Sequence, residues 1–244
     1  MVGSVNYVSR CGADITDINM RLLLNVYKIA QRLGEAVVIN PVANCAYPGA
    51  MDLYVEGQLW DGPIHPSVLS YGSTRRMMLV LADCYARQYG VQTINLLVPN
   101  MYGPHDSLDP NKTHAFNALV IKFIRALKEA SSQVEIWGTG TPVREWLYVK
   151  DFSHMVARII CAREAEAEPI NVAQSRGYSI RELVDQIRSL LGYRGQVVYN
   201  DRFPDGAAQK VMDATRFRER FPDFTFTSLS DGLLETVHHY QERM

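Results

Sequence analysis

The amino-acid sequence predicts an α/β fold with a mostly parallel β-sheet. Segments in which apolar residues recur at helical spacing alternate with short apolar runs that are typical of buried strands. Strands joined through helices in this way favour a parallel sheet. The chain has 244 residues, of which 47% are hydrophobic, enough for a sizeable core. We therefore expect a single domain over residues 1–244.

The first hundred residues are predicted to form two helices and two strands. Apolar residues recur at helical spacing from Asp14 to Leu33, and the run "AVVIN" over 36–40 is typical of a buried strand. A second helix is expected from about Tyr71 to Tyr89. The strand "TINLLVP" follows it.

The remaining residues continue the alternation. We expect a helix from about Ala115 to Lys128, the strand "VEIWG", the apolar segment "EWLYV" and a helix that opens at Asp151. The strand "INVA" precedes the helix "SIRELVDQIRSLLGY", in which Ser179 and Glu182 have capping-box spacing. The strand "QVVYN" and an amphipathic C-terminal helix complete the prediction.

Composition limits the kinds of partner. The net charge of −1 at pH 7 implies no bulk attraction to nucleic acid or to a membrane surface. No apolar run approaches the roughly 20 residues that span a bilayer, and no basic-then-apolar signal opens the chain. The four cysteines have no CxxC spacing, so neither a zinc site nor a disulfide framework is indicated. We expect a cytoplasmic protein.

No glycine-rich dinucleotide turn is encoded in these residues. Such a turn lies between a strand and a helix, because only glycine lets backbone amides approach a pyrophosphate there. The chain opens instead with "MVGSVNYVSRCGADITDIN" and goes directly into a helix. The segment "GTGTP" at 138–142 lies between two strand-like segments, so we predict a turn.

Five longer motifs carry a family resemblance. They are "NCAYPG", "EGQLWDGPIHPSVLSYGSTRR", "YGPHDSLDPNKTHAFNALVIKF", "IWGTGTPVREWLYVKDF" and "FPDGAAQKVMDATRF". In order and spacing, over nearly the whole chain, they resemble the GDP-L-fucose synthase branch of the extended short-chain dehydrogenase/reductases. The resemblance implies a truncated Rossmann-like sheet that lacks the first strands and the glycine-rich loop. Residues 1–100 would be the remnant of the Rossmann half, and residues 101–244, with a small C-terminal α/β region, would mainly bind the GDP-sugar.

The resemblance also implies catalytic roles. Family enzymes use a tyrosine to move a proton, a lysine to lower its pKa and hold the nicotinamide ribose, and a serine to orient the carbonyl. Tyr71 matches the tyrosine, but Arg75 replaces the lysine and Ala43 replaces the serine. Cys45 and His114 match the pair that exchanges protons next to a keto group. With the glycine-rich loop also missing, we expect hydride transfer to be lost and sugar protons to be handled by Tyr71, His114 or Cys45.

By the same resemblance, the positions that hold the GDP-sugar keep the residue types that bind it in the family. Ile136 and Trp137 fall beside the guanine, and Lys122, Arg144 and Lys210 fall near the diphosphate or ribose. Cationic side chains suit a diphosphate, and arginine adds bidentate geometry. The implied substrate-binding residues are Asn100, Leu119, Lys122, Ile136, Trp137, Arg144 and Lys210.

A retained GDP-sugar site beside a missing cofactor half predicts a reaction without net redox. The first hypothesis is an isomerase, a GDP-sugar mutase that converts the pyranose form of GDP-L-galactose or GDP-L-fucose to the furanose form. It would need neither NAD(P) nor FAD. A Mg²⁺ or Mn²⁺ ion held through the diphosphate would help to weaken the anomeric C–O bond.

Two other hypotheses stay open at this point. One is an NADPH-dependent epimerase/reductase that acts on a GDP-4-keto-6-deoxy sugar, against which the sequence sets Ala43 and Arg75. The other is a non-catalytic subunit that binds a nucleotide-sugar without turnover.

One further loop contains acidic residues and a histidine. His105, Asp106 and Asp109 in "PHDSLDP" have side chains that bind divalent cations, but loop acids are more often turn formers.

In the family, the helices that match Ile15–Leu33 and Tyr71–Tyr89 pack as a four-helix bundle across a two-fold axis. The resemblance therefore predicts a homodimer.

Overall fold

Helices and strands alternate along the chain as the sequence predicts. The structure, a computed structural model, describes residues 5–110, 112–162 and 168–244. Its helices are α1 (Val5–Arg10), α2 (Gly12–Leu33), α3 (Leu69–Tyr89), α4 (Ala115–Lys128), α5 (Val149–Ala162), α6 (Ile180–Leu191), α7 (Thr215–Arg220) and α8 (Leu229–Arg243). Its strands are β1 (Val37–Ala43), β2 (Gln92–Val98), β3 (Asn100–Tyr102), β4 (Gln133–Trp137), β5 (Val143–Tyr148), β6 (Ile170–Asn171), β7 (Gly177–Ser179), β8 (Gln196–Asn200) and β9 (Gln209–Lys210). Within these ranges no helix combines the length and the apolar character needed to cross a bilayer.

The strands pair mostly in parallel. β1, β2 and β6 form one parallel sheet in that order. β5 pairs in parallel with β3 and β9 and antiparallel with β7, and β4 pairs in parallel with β8. The predicted α/β class with a mostly parallel sheet is confirmed.

The first strand is longer than predicted. The predicted strand over 36–40 ends before Pro41, which has no N–H to donate to a sheet. β1 nevertheless pairs with β2 along its whole length, and it is the end strand in the order of the described sheet, where proline is tolerated. The extension brings the chain to Cys45, which lies in a 3-10 turn (Asn44–Ala46) directly after the strand.

Several short elements were not predicted. They are β3, β7 and β9, with two or three residues each, and the six-residue helices α1 and α7. Segments of this length do not complete enough periods for an apolar repeat to be recognised. The opening residues therefore hold a short helix before α2 rather than running directly into one long helix.

The buried side chains form three main clusters. One lies between α2, α3 and the sheet of β1 and β2, and a second joins α4, α6 and α8 to β4 and β5. The third packs α5 and the segment around Phe217 against β2 and β6. Each large apolar side chain that is fully buried stabilises the fold by about 1.5–3 kcal/mol. This packing fixes α3 and α4, which carry the predicted site residues Tyr71, Leu119 and Lys122.

The "GTGTP" segment is a turn between β4 and β5, as predicted. Gly138 and Gly140 have φ angles of 87° and 77°, which favour glycine. The backbone N–H and the hydroxyl of Thr139 donate hydrogen bonds to the Asp205 carboxylate at 2.8 and 2.7 Å. The turn is thereby bonded to the loop that follows β8.

The predicted capping box at the start of α6 is confirmed. Ser179 Oγ accepts from the backbone N–H of Glu182 at 3.1 Å, and Glu182 Oε2 accepts from the backbone N–H of Ser179 at 2.7 Å. We expect Ser179→Ala to lower the free energy of unfolding by about 1 kcal/mol, since an N–H at the helix end loses its acceptor. Urea unfolding measures it, with Ser189→Ala on the exposed side of α6 as the control. Equal stability of the two variants would contradict the prediction.

Candidate active site

Cys45, Tyr71 and Arg75 meet where β1 ends and α3 begins. Cys45 is buried in a small cluster with Ile64 and Val68, and Tyr71 packs against this cluster. Arg75 follows Tyr71 by one helical turn, and its guanidinium carbon lies 4.6 Å from the centroid of the Tyr71 ring. The thiol, the phenol and the cation are therefore neighbours, although 25 residues of chain lie between Cys45 and Tyr71.

Gly72 and Arg76 hold α3 against the turn that contains Cys45. A Cβ atom at Gly72 would lie 2.5 Å from the carbonyl oxygen of Cys45, so any larger residue would push the two segments apart. Arg76 Nε donates to the carbonyl of Ala46 at 2.6 Å, and its Nη2 donates to the carbonyl of Gly62 at 2.9 Å.

Two more cations reach the same place from another sheet. Arg144 of β5 and Lys210 of β9 are direct partners in the parallel pairing of these strands. Lys210 interacts electrostatically with both Cys45 and Arg144. Like charges directly opposite each other on neighbouring strands repel. Side by side, these two cations suit an anion with two charges.

The environment keeps the two acid/base candidates protonated at neutral pH. Burial raises the pKa of the Cys45 thiol to about 11, although Lys210 and Arg75 act in the opposite direction. Burial also raises the pKa of Tyr71, and Arg75 opposes that shift. Both groups are proton donors in this state, and an approaching base is needed before either can accept a proton.

An exposed aromatic surface lies at the other end of the predicted site. Trp137 at the end of β4 is 55% exposed, and its ring stacks on Phe203 with 4.5 Å between centroids and 14° between planes. Lys122 Nζ lies 5.3 Å from the Trp137 ring centroid and donates to the carbonyl of Glu135 at 2.7 Å. Such a surface offers stacking and a positive charge to a planar base.

A loop links the cations to the aromatic surface. This loop, residues 201–208, follows β8 and includes Phe203, which stacks on Trp137. Two residues later, the carbonyl of Asp205 accepts from Arg144 Nη2 at 3.2 Å. The two parts of the site are therefore held by one short segment.

His114 belongs to a separate arrangement at the start of α4. Its Nδ1 lies 3.2 Å from both carboxylate oxygens of Asp106. Within residues 5–110, 112–162 and 168–244, no hydrogen bond joins His114 to Cys45. The pairing of these two residues in one reaction stays a prediction.

Three predicted substrate-binding residues make contacts within the protein itself. Asn100 Nδ2 donates to the carbonyl of Glu145 at 3.3 Å. The side chain of Ile136 is 2% exposed and packs in the core cluster around α4, and Leu119 packs against that cluster. Their contact with a GDP-sugar stays a prediction.

The acidic loop before α4 is used for turn and helix-end contacts. Asp106 accepts from the backbone N–H groups of Ser107 and His114 at 2.8 and 2.9 Å. The residues that the structure describes contain no group of three or more His, Cys, Asp or Glu side chains placed to hold a metal ion. Turn formation is therefore the better interpretation of this loop.

Glu145 also belongs to the site, although sequence reasoning missed it. Glu145 is fully buried next to Arg144, and burial raises its pKa to about 7. Its carboxylate accepts from the backbone N–H groups of Gln174 and Met212, which holds the chain beyond Lys210 in place. The charged pair "RE" inside an otherwise apolar strand was the available signal.

Phe203, Asp205 and Tyr54 were missed as well. Phe203 and Asp205 both lie in the motif "FPDGAAQKVMDATRF". Their contacts depend on how the loop folds, and a loop has no apolar repeat from which its fold could be predicted. Tyr54 interacts electrostatically with Arg144 and Cys45, and burial raises its pKa to about 12. No signal in the sequence indicated Tyr54.

Comparison with known proteins identifies relatives of this chain. The family model described as "NAD dependent epimerase/dehydratase family" matches residues 2–173. The GDP-L-fucose synthase of Escherichia coli (strain K12) is 30% identical over 250 residues, which cover 99% of this chain and 78% of the relative. A solved GDP-L-fucose synthetase from Naegleria fowleri bound to NADP has a TM-score of 0.84 at 23% identity, covering 99% of this chain and 76% of that one. A GDP-6-OMe-4-keto-L-xylo-heptose reductase from C. jejuni has a TM-score of 0.88 at 21% identity, covering 100% and 80%. The Rossmann-like α/β fold is thereby confirmed.

These findings overturn the first functional hypothesis. The matching family is NAD dependent, the relative is a GDP-L-fucose synthase, and the structural neighbour carries NADP. The predicted isomerase or mutase activity, its metal dependence and the absence of NAD(P) are therefore wrong.

The error has a physical explanation. The prediction counted Arg75 as a loss, whereas its guanidinium lies over the Tyr71 ring and keeps a cation beside the phenol. It also took the start of the sequence as the loss of a glycine-rich loop, which the start of a sequence does not show.

The family model and the curated relative agree with the motifs and with the fold. The model spans more than half of the chain, and the relative is matched over most of both lengths. The chain belongs to the NAD dependent epimerase/dehydratase family of extended short-chain dehydrogenase/reductases.

Proposed function

We propose that this chain is an epimerase/reductase that acts on a GDP-4-keto-6-deoxy sugar with NADPH as the reductant. The observation that carries the proposal is the convergence of Cys45, Tyr71 and Arg75 with the cations Arg144 and Lys210. The name of the Escherichia coli relative, a GDP-L-fucose synthase, supports a GDP-sugar, and the family resemblance implies its 4-keto-6-deoxy form.

In this proposal the GDP group lies along the cations and the aromatic surface. Arg144 and Lys210 bind the diphosphate, because charge-assisted hydrogen bonds to phosphate oxygens are among the strongest available. The base stacks on Trp137 beside Lys122. These four residues lie within 101–244, in line with the prediction that this half mainly binds the GDP-sugar.

Epimerisation needs a base and an acid next to the keto group. A carbonyl at C4 acidifies the C–H bonds on the neighbouring carbons, so that a proton can leave from one face of the sugar and return from the other. We assign this exchange to Cys45 and His114. The cations Lys210 and Arg75 favour the thiolate of Cys45 against the effect of burial.

Reduction uses Tyr71 as the proton donor. The C4 carbonyl oxygen takes the proton of the Tyr71 hydroxyl, and Arg75 stabilises the phenolate that is left. NADPH, when bound, supplies the hydride to the carbonyl carbon. A hydride and a proton together convert the ketone to an alcohol.

The side chains near Tyr71 fit the nicotinamide end of the cofactor. Arg75 Nε is buried and has no hydrogen-bond partner among the described residues. A buried donor without an acceptor is costly, and a ribose hydroxyl is an acceptor of suitable size. Tyr71 and Arg75 would therefore hold the ribose.

Ala43 is the departure that limits this chemistry. It has no hydroxyl to orient the carbonyl, and it packs beside Cys45 and Tyr71. We expect hydride transfer to be slow relative to proton exchange in this protein, and Ala43→Ser to raise the rate of hydride transfer.

The test combines cofactor binding with turnover. The protein is titrated with NADPH and then incubated in D₂O with a GDP-4-keto-6-deoxy-hexose, while NADPH consumption and deuterium incorporation next to C4 are followed. We expect binding at micromolar levels, NADPH consumption and deuterium incorporation. No NADPH binding together with no consumption would sink the reductase assignment.

A nucleotide-sugar-binding subunit without turnover is the second candidate, and Ala43 is the observation that favours it. It predicts GDP binding with neither deuterium incorporation nor NADPH consumption in the same experiment. The two functions therefore differ in a measured outcome.

We further propose a homodimer that buries an exposed apolar stripe on α2. The stripe residues recur at helical spacing on one face and are 37–67% exposed; they are Ile18, Leu22, Val26, Ile29 and Leu33. Contiguous apolar patches on a helix mark interaction surfaces, and α2 packs beside α3, so each chain would contribute this helix pair to the predicted four-helix bundle. A cytoplasmic location also stays a proposal, in keeping with the four free cysteines.

The dimer has a direct test. We expect Leu22→Glu combined with Ile29→Glu to convert a dimer into a monomer, because buried unpaired carboxylates oppose association. Light scattering gives the mass. Leu190→Glu on α6, a similarly exposed leucine, is the control and should stay dimeric. A monomeric wild-type protein at micromolar concentration would refute the dimer.

A further inference from the structure

The loop between β3 and α4 places one carboxylate against His114. Asp106 Oδ2 accepts from the backbone N–H of His114 at 2.9 Å and from Asn117 Nδ2 at 3.1 Å. Its Oδ1 accepts from the backbone N–H of Ser107 at 2.8 Å. His114 Nδ1 lies 3.2 Å from both oxygens. The carboxylate is therefore fixed by several donors before it meets the imidazole.

The loop itself is bonded to its surroundings. Thr113 Oγ1 donates to the carbonyls of Ser107 and Asp109 at 2.6 and 2.7 Å. From α8, the Tyr240 hydroxyl donates to the carbonyl of Asp106 at 3.3 Å, and His239 Nε2 accepts from the backbone N–H of His105 at 3.2 Å. The position of Asp106 thus depends on α4 and α8 together.

This geometry selects one form of the His114 ring. An ionised carboxylate only accepts hydrogen bonds, so Nδ1 must carry a proton and Nε2 is left directed away from Asp106. The Asp106 side chain is 18% exposed and the His114 side chain 45% exposed. The less exposed partner orients the more exposed one, which is the arrangement expected of a ring that works on a substrate.

The charges support the same conclusion. The hydrogen bond to Asp106 raises the pKa of His114, although burial opposes it. Burial would raise the pKa of Asp106, but the bonds from His114 and from the backbone outweigh it and lower the pKa to about 2. His114 therefore stays charged to a higher pH than a free histidine, and it loses that charge as the pH rises through its raised pKa.

The titratable groups around the pair come from the loop itself and from α8. On the same loop, Lys112 lies 3.9 Å from the Asp109 carboxylate. On α8, Tyr240 interacts electrostatically with Asp106, and the His239 ring lies 4.4 Å from that of His105. Asp106 is the group that contacts the His114 ring directly.

We propose that Asp106 is a positioning residue that holds His114 through Nδ1, so that the Nε2–H of the charged ring faces the sugar as a proton donor. The proposal rests on the proposed function for the sugar and for the role of His114 in proton exchange, whereas the Asp106–His114 contact itself does not depend on a substrate.

The first test is an NMR titration of the full chain, which needs no substrate. The chain has six histidines, and the His114 signals are assigned by their loss in His114→Gln. In Asp106→Asn, which keeps the size of the side chain and removes its charge, we expect the His114 midpoint to fall toward about 6.5 and the Nδ1–H tautomer to lose its preference. Asp109→Asn, on the same loop, is the control and should leave the His114 midpoint in place.

The second test is activity. We expect Asp106→Asn to lower the rate of deuterium incorporation at saturating substrate by about tenfold or more, with little change in KM. Asp106→Glu, which restores the charge, should recover part of this rate. Should Asp106→Asn fail to fold, Asp106→Glu carries both measurements, with a smaller shift in the His114 midpoint.

The outcomes separate the two proposals. An unchanged His114 midpoint and tautomer in folded Asp106→Asn would overturn the role of Asp106. A shifted midpoint in a protein that incorporates no deuterium from GDP-4-keto-6-deoxy-hexoses would support the positioning contact and count against the proposed function.

Discussion

Replacing Cys45 by serine is expected to reduce deuterium incorporation next to the keto group by about a hundredfold to ten-thousandfold. A serine hydroxyl is nearly the size of the thiol, but it is a far weaker acid and cannot supply an anion at this site. Cys45 is buried in a cluster with Ile64 and Val68, so a hydroxyl there also costs about 1–3 kcal/mol of stability. The measurement is deuterium incorporation into a GDP-4-keto-6-deoxy-hexose in D₂O.

Two further variants separate chemistry from folding. Cys45→Ala adds no hydroxyl to the apolar cluster, and it should lose as much activity as Cys45→Ser if the thiol is the reacting group. Cys84→Ser, at an exposed free cysteine on α3, should keep full activity. Retention of most of the activity in Cys45→Ser would exclude Cys45 from proton exchange.

The pKa of Cys45 adds a dependence on pH. Because burial raises that pKa to about 11, the thiolate fraction is small at neutral pH and grows as the pH rises toward the pKa. Alkylation of Cys45 by iodoacetamide should therefore accelerate with pH up to about that value, in a Cys11→Ser, Cys84→Ser and Cys161→Ser background. A plateau near neutral pH would contradict the effect of burial.

Replacing Lys210 by methionine is expected to weaken GDP binding by about tenfold to a hundredfold. Hydrogen bonds to charged groups contribute about 1.5–3 kcal/mol, and 1.4 kcal/mol is a factor of about ten. Titration calorimetry with GDP measures the loss. Lys128→Met at the exposed end of α4 is the control and should bind GDP like the wild type.

The same variant should leave the ligand-free protein at least as stable. Burial lowers the pKa of Lys210 and Arg144 adds to this effect, although Cys45 opposes it, so we expect the charged ammonium to be disfavoured where it lies. Removing it also removes a cation that favours the Cys45 thiolate, so alkylation of Cys45 should slow down. A large loss of stability in Lys210→Met would indicate a structural role instead of anion binding.

Helices that contain several turns of the apolar repeat were predictable from the sequence. The bounds of α4 agree with the predicted helix, and the capping residues of α6 form the predicted bonds. Apolar spacing records burial on one face, and capping depends on residues three apart, so both are local properties. The substitutions Ala43 and Arg75 could likewise be read directly from the motifs.

The functional meaning of those substitutions was not local. Arg75 looked like a broken proton relay in the sequence, and the structure places its guanidinium on Tyr71 and leaves its Nε without a partner among the described residues. Whether a cation still serves a phenol depends on their distance, which sequence spacing alone does not give. The mutase hypothesis was wrong in part because it counted Arg75 as the loss of the cation beside Tyr71.

The sequence by itself determined the α/β class, the main helices and strands, and the residue types available for binding a nucleotide-sugar. The tertiary structure alone decided which of them meet. Arg144 and Lys210 lie side by side because β5 and β9 pair in one register, and Asp106 reaches His114 because the loop before α4 turns back on the helix start. Contacts between residues far apart in the chain, or within an aperiodic loop, depend on how whole elements pack, and no local pattern records that packing.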